Sequence, residues 1–260
     1  MELRMKRSNF IGLMISFGFI LTFMACAKEE VQIIPVGKMP ITTNSQDALN
    51  DFMRGRNLRD KLQREKSVIH FQEAVKKDPT FALAWLNLSF VSAGTGNFLA
   101  ALDSAMKYSD LASEAEQIQI KSTEYAISGN ATQQIALLKS LVEKFPGDER
   151  AHLLLGTYYY GVQQYQSAIK SYDNAITINP NLAPAYNMLG YYQRMLGNYG
   201  EAEKAFKCYT KLNPDNPNAF DSYAELLLEM GRYDDSIDFY NQALSIDSTF
   251  IASYIGIASN

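Results

Sequence analysis

The side chains best suited to nucleophilic or metal chemistry are few in this sequence: two histidines, His70 and His152, and two cysteines, Cys26 and Cys208. The histidines stand more than eighty residues apart with no cysteine beside either at ligand spacing, so they do not assemble a zinc site. His152 falls on a large-residue position of an apolar pattern and reads as a core histidine, whereas His70, next to Phe71, reads as a surface one. The GTG at 94–96 follows no strand, which makes it a turn rather than a phosphate cradle. Serine, histidine and aspartate are never placed together, and acid pairs such as Asp234-Asp235 fall in turns or on polar faces. These spacings imply no catalytic residue, no metal site and no cofactor.

The elements around Cys26 explain it better than chemistry does. Arg4, Lys6 and Arg7 precede the apolar run 10–25, a positive segment followed by a hydrophobic one. As a helix that run is roughly 24 Å long, short of a hydrocarbon core of roughly 30 Å. The pattern resembles a bacterial lipoprotein signal. That resemblance implies that residues 1–25 are removed, that Cys26 carries the lipid, and that 26–47 form a lipidated start and extended tether. It places the mature chain in the bacterial cell envelope, on the outer membrane, facing the periplasm or the cell surface; Lys28, Glu29 and Glu30 resemble a surface-sorting signal. An uncleaved signal anchor, with Cys26 a bystander, would export the chain equally. Cleavage removes three basic residues and Glu2, leaving 21 basic against 27 acidic residues, a charge of −6. So acidic a body argues against nucleic-acid binding. With Cys26 acylated, Cys208 has no disulfide partner and reads as a core or helix-face residue.

The rest of the chain repeats itself. Pro146, Pro180 and Pro214 are 34 residues apart, as are Tyr165, Tyr199 and Tyr233, and Ala168, Ala202 and Ser236. Gly55, Ser89, Ser122, Gly156, Gly190 and Ala224 share one small-residue position; Ser67, Ala101, Gln134, Ala168, Ala202 and Ser236 share another, broken only by Gln134. Within each unit apolar residues recur at three and four, first His152, Leu155, Gly156 and Tyr159, then Ala168, Ile169, Tyr172 and Ala175. Two amphipathic helices per unit follow, antiparallel, their axes brought close by Gly156 and Ala168. Asn179-Pro180-Asn181 ends the second helix, and Gly197 and Gly231 suit left-handed caps between paired helices.

This pattern resembles the tetratricopeptide repeat. The resemblance implies an all-α, right-handed superhelical solenoid of antiparallel helix pairs, with units at 48–81, 82–114, 115–148, 149–182, 183–216 and 217–250 and a seventh begun at 251–260. It also implies that first helices line a concave groove that receives protein or peptide partners. The groove positions carried over are Phe52, Arg56 and Arg59 in the first unit, Leu86 and Phe90 in the second, and Thr157 and Tyr160 in the fourth. Asn187, Tyr191 and Arg194 follow in the fifth unit, and Asp221 and Glu225 in the sixth. Asn187 with Arg194 would suit a peptide main chain or a carboxylate. The groove runs from basic at Arg56 and Arg59 to acidic at Asp221 and Glu225.

The expectation is a membrane-anchored, non-enzymatic scaffold that gathers protein partners outside the cytoplasm. Two alternatives stay open: the regulatory region of a longer exported enzyme continuing past residue 260, and a glycan or small-molecule binder using groove aromatics such as Tyr160 and Tyr191.

Overall fold

Proline spacing in this chain marks the ends of alternate helices. The computed structural model describes residues 37–260, and among these lie thirteen α-helices and no strand. The pairs are α1 (Gln46–Asp60) with α2 (Arg64–Lys77), α3 (Ala82–Val91) with α4 (Thr95–Lys107), and α5 (Glu114–Ile127) with α6 (Ala131–Lys144). Then come α7 (Glu149–Gly161) with α8 (Tyr165–Ile178), α9 (Ala183–Met195) with α10 (Tyr199–Leu212), and α11 (Pro217–Glu229) with α12 (Tyr233–Ile246). The helix α13 (Ile251–Ser259) packs on the last pair. Each helix contacts its chain neighbours within and between pairs, which makes one continuous stack.

Local chemistry sets the ends. Asp78 and Asn179 precede prolines and take extended backbone (ψ 92° and 93°), as the following ring requires. Each then accepts the amide two residues on, Thr80 and Asn181, at 3.0 Å. Four of the six first helices start on side-chain caps: Ser45 for α1, a Ser113–Glu116 capping box for α5, Asp148 for α7 and Asn216 for α11. Gly197 and Gly231 are left-handed (φ 74° and 72°), whereas Leu62 and Gln163 adopt the same conformation without glycine's freedom.

Inside a pair, the small residue has a sharper role than allowing two axes to approach. A Cβ on Gly55 would stand 2.9 Å from the Phe71 ring, one on Gly156 2.8 Å from Tyr172, and one on Gly190 2.7 Å from Phe206. Those rings are fully buried, so each glycine is the seat of an aromatic. Units two and three hold Ala105 and Leu138 at the ring position, with Ser89 and Ser122 at the seat.

Two features depart from a simple row of pairs. Residues 37–47 are not the end of an extended tether. Met39 N–H donates to Asp148 Oδ2 (2.9 Å), Thr42 N–H to Glu116 Oε1 (2.9 Å), and the Thr43 hydroxyl and Asn44 N–H to Asp78 Oδ2 (2.6 and 3.1 Å). Lys38 pairs with Glu149, and Ser45 turns the chain into α1 at residue 46. The caps of successive repeats leave a row of acids along one edge. The amides of this irregular segment satisfy that row while Met39 and Ile41, partly buried, pack against the core beneath. Cys26 and the segments at 1–25 and 26–36 lie outside the described residues.

The stack also curls onto itself. Arg150, at the start of α7, pairs bidentately with Asp60 at the end of α1, and Asn216 Nδ2 donates to the Lys61 carbonyl at 2.7 Å. This clasp joins residues 90 and 155 positions apart.

Candidate binding groove

Because α1 folds across to α7, the inner faces of the first four pairs enclose a cavity of about 470 Å³. Positions one or two turns into each first helix line it: Phe52 and Arg56 of α1, Leu86 and Phe90 of α3, Gln119 and Thr123 of α5, Leu153 and Thr157 of α7. Of the predicted groove residues, Phe52, Arg56, Arg59, Leu86, Phe90 and Thr157 meet here. The room comes from unit three. Ser122 and Leu138 occupy the seat and ring positions that Gly156 and Tyr172 fill in unit four, and Gln134, the exception in the small-residue series, also reaches the cavity wall.

Sequence reasoning missed the rest of the lining. Met39, Pro40 and Ile41 of the docked segment form one rim, and Arg150 with Asp148 another. The acidic positions that hold this segment were not among the residues singled out from the sequence; nothing in the repeat pattern signals that a preceding segment uses them.

The cavity's polar side is cationic. Arg59 Nη1 donates to the Asn87 side-chain oxygen (2.5 Å), and the Arg56 guanidinium lies 5.5 Å from the Phe52 ring centre and donates to Met53 sulfur (3.0 Å). Among the described residues neither has a carboxylate within 4 Å. Burial, with Arg150 and Arg59 nearby, pushes the Arg56 guanidinium down to about 10, still charged at neutral pH, and burial lowers Arg59 as well. Asp60 is taken by Arg150, whose charge it favours despite burial; Asp148 accepts the amides of Met39, Arg150 and Ala151.

The remaining predicted groove residues, Tyr160, Asn187, Tyr191, Arg194, Asp221 and Glu225, lie outside this cavity, and most answer one another. Arg194 binds Glu225 (2.7 Å) and Glu229 (3.1 Å) while lying over the Tyr191 ring. Tyr191 shares a hydrogen bond with Ser222 (2.9 Å), and Asp221 accepts one from Ser253 of α13 (2.7 Å). Burial raises Asp221, and the charge of Glu225 adds to this against the hydrogen bond from Ser253. Tyr160 packs on Tyr192, ring centres 5.1 Å apart. Asn187 is buried with its side-chain oxygen unpaired among the described residues. Arg194 therefore does not present a free fork to a carboxylate, contrary to the sequence expectation for the Asn187–Arg194 pair.

The chemistry-bearing residues stay apart. His152 is buried, its Nε2 at 3.2 Å from the Pro146 carbonyl; His70 is half-buried rather than fully exposed, 3.4 Å from Asp51. Cys208 is exposed on α10.

Three stretches match the tetratricopeptide repeat family: residues 149–182, 171–204 and 218–250. The chain is 24% identical over 210 residues to tetratricopeptide repeat protein 37 of Xenopus laevis, covering 79% of this chain and 13% of that protein. It is 22% identical over 202 residues to superkiller protein 3 of Schizosaccharomyces pombe, covering 75% of this chain and 14% of that one. It thus spans about an eighth of these curated relatives. The crystal structure of the APC/C hetero-tetramer Cut9-Hcn1 aligns with a TM-score of 0.55 at 19% identity, over 82% of this chain and 42% of that chain. The fold is a right-handed solenoid of tetratricopeptide repeats.

Proposed function

We propose that this repeat chain is a non-enzymatic adaptor of the bacterial cell envelope, anchored by lipid on Cys26 and gathering a partner protein through an extended segment laid in its groove. The observation that carries the groove reading is the cavity framed by α1, α3, α5 and α7, where six inward-facing positions chosen from the repeat converge. A volume of about 470 Å³ falls in the roughly 300–1,000 Å³ range of ligand pockets and admits a few side chains rather than a folded domain. The anchor reading rests on the basic start, the apolar run 10–25 and the cysteine that ends it. With the outer membrane as its address, the solenoid faces the periplasm or the cell surface.

Metabolic labelling with an alkyne fatty acid separates the parts. Wild type takes up label and fractionates with membranes, and Cys26→Ser does neither; an equally labelled variant removes the anchor. For the groove, affinity capture with mass spectrometry compares wild type with Phe90→Ala/Thr157→Trp. The double variant loses the specific partner set, and an unchanged set discards the groove reading.

A further inference from the structure

At the basic side of the cavity three guanidiniums, those of Arg56, Arg59 and Arg150, meet two carboxylates, Asp60 and Asp148. Both acids are already engaged, Asp60 by Arg150 and Asp148 by three backbone amides. One positive charge is left in excess, located on Arg56 and Arg59, whose partners are a ring, a thioether and a neutral amide. Both guanidiniums are half-buried; a cation partly withdrawn from water without a counter-charge is less well solvated, and an anion delivered to it gains accordingly. A single carboxylate balances the excess, whereas a phosphate dianion overshoots it.

Much of the remaining lining is apolar: Leu83, Leu86 and Leu138 are buried, and Leu153 is half-buried. The lining also holds the amides of Gln119 and Gln134; Gln119 Nε2 donates to the Ala115 carbonyl and to Met39 sulfur, which leaves its oxygen, and the Gln134 amide makes no hydrogen bond among the described residues. A side-chain amide donates and accepts at once, which matches a peptide main chain and has no counterpart in a fatty acid.

We infer that the cavity selects a peptide segment in which one aspartate or glutamate is flanked by large apolar side chains. The carboxylate sits at Arg56 and Arg59, the apolar groups lie against Leu83, Leu86, Leu138 and Leu153, and the main chain passes Gln119 and Gln134. This rests on the groove reading and supplies the chemistry of its partner.

The test uses the purified full chain and an array of short synthetic peptides pairing apolar–acidic–apolar cores with versions carrying Gln for Glu. Wild type retains acidic cores, and Glu→Gln in the peptide weakens binding at least about tenfold, as loss of a charge-assisted hydrogen bond does. In Arg56→Gln that discrimination disappears while apolar binding persists. Equal retention of Glu and Gln peptides by wild type overturns the inference and leaves the groove reading standing. Peptides held equally by Ala126→Phe, which fills the cavity, overturn both. If Arg56→Gln does not fold, the Glu-to-Gln comparison on wild type decides alone. Arg56-dependent binding of decanoate, with no peptide retained, assigns the cavity to a free carboxylate amphiphile and overturns the peptide.

Discussion

Along α1, α3, α5 and α7 the equivalent inward positions carry Phe52, Leu86, Gln119 and Leu153, and a cavity stands between them with two arginines facing in. Along α9 and α11 the same positions carry Asn187 and Asp221, and there Arg194 is bound by Glu225 and Glu229 while Asp221 is held by Ser253. One repeat frame thus yields an open surface and a self-satisfied one. The frame decides which side chains point inward; what those side chains find opposite them decides whether a ligand has anything left to bind.

The widest separation between the halves should appear in the core. Phe206 is fully buried, seated on Gly190 and edge-on to Tyr191 at 5.3 Å. Phe206→Ala should lose about 3–5 kcal/mol, because no neighbour can collapse into the space. Leu138→Ala, at the equivalent position of unit three, only widens a cavity already present and should lose about 2 kcal/mol. Urea denaturation followed by circular dichroism measures both, and a larger loss at Leu138 would break the comparison.

How much of this the sequence carries depends on the range of the interaction. The helix pairs, their proline-marked ends and the small-residue positions follow from contacts a few residues apart or one repeat apart, so periodicity exposes them. The residues that turn a generic groove into a cavity do not repeat. The segment at 37–45 reaches Asp148 and Glu116 across 109 and 74 positions, and Asp60 meets Arg150 across 90. No pattern local to Asp148 distinguishes a helix cap from a cap that also anchors another segment. Arg194 shows the converse: its side chain was legible as inward-facing, but its two carboxylate partners lie a repeat away and turn on side-chain reach.

The clasp is the next way to press the comparison. Asp60→Asn leaves the part-buried Arg150 guanidinium without its carboxylate and should cost about 1–3 kcal/mol. Hydrogen exchange should quicken at the end of α1 and the start of α7 together. In the other half, Glu225→Gln leaves Arg194 its second acid, Glu229, and should cost less than about 1 kcal/mol for a more exposed pair. Equal losses would mean that the clasp is no more than a surface ion pair.

The docked segment at 37–45 gives the cavity a rim that acid should loosen. Burial raises Asp78, but hydrogen bonds from Thr43, Thr80 and the amides of Asn44 and Thr80 outweigh it and hold the carboxylate below its ordinary value. Glu149 is likewise raised by burial and lowered further by Lys38 and its own backbone. Carboxylates depressed in the folded state contribute stability that is complete above their ordinary values, 3.8 and 4.5, and is lost as pH falls through the lower folded ones. The amide of Asn44, held by Asp78, should lose exchange protection there. Asp221, raised rather than lowered, behaves oppositely: its contribution falls as pH rises from 3.8 through its folded value, so acid should not loosen its contact with Ser253. Hydrogen exchange at stepped acid pH separates the two, and simultaneous release would erase the distinction.

The smallest effect concerns backbone strain at the two helices that clasp. Both α1 and α7 end through non-glycine residues in the left-handed region, Leu62 (φ 57°) and Gln163 (φ 59°), where the pairs on α9 and α11 use Gly197 and Gly231. A left-handed L-residue is disfavoured by roughly 1–2 kcal/mol, and glycine gives back roughly 0.4–1 kcal/mol through the freedom it adds to the unfolded chain. Gln163→Gly should therefore stabilise the protein by on the order of 0.5 kcal/mol, because the exposed glutamine side chain adds no buried contact. A loss on thermal melting would show that the Gln163 side chain, at the edge of the cavity next to Val162, contributes a contact outweighing its backbone strain. The cavity-lining helices α3 and α5 are followed by glycines at positive φ, Gly94 and Gly129, so the strain belongs to the two clasped helices and not to the open half as a whole.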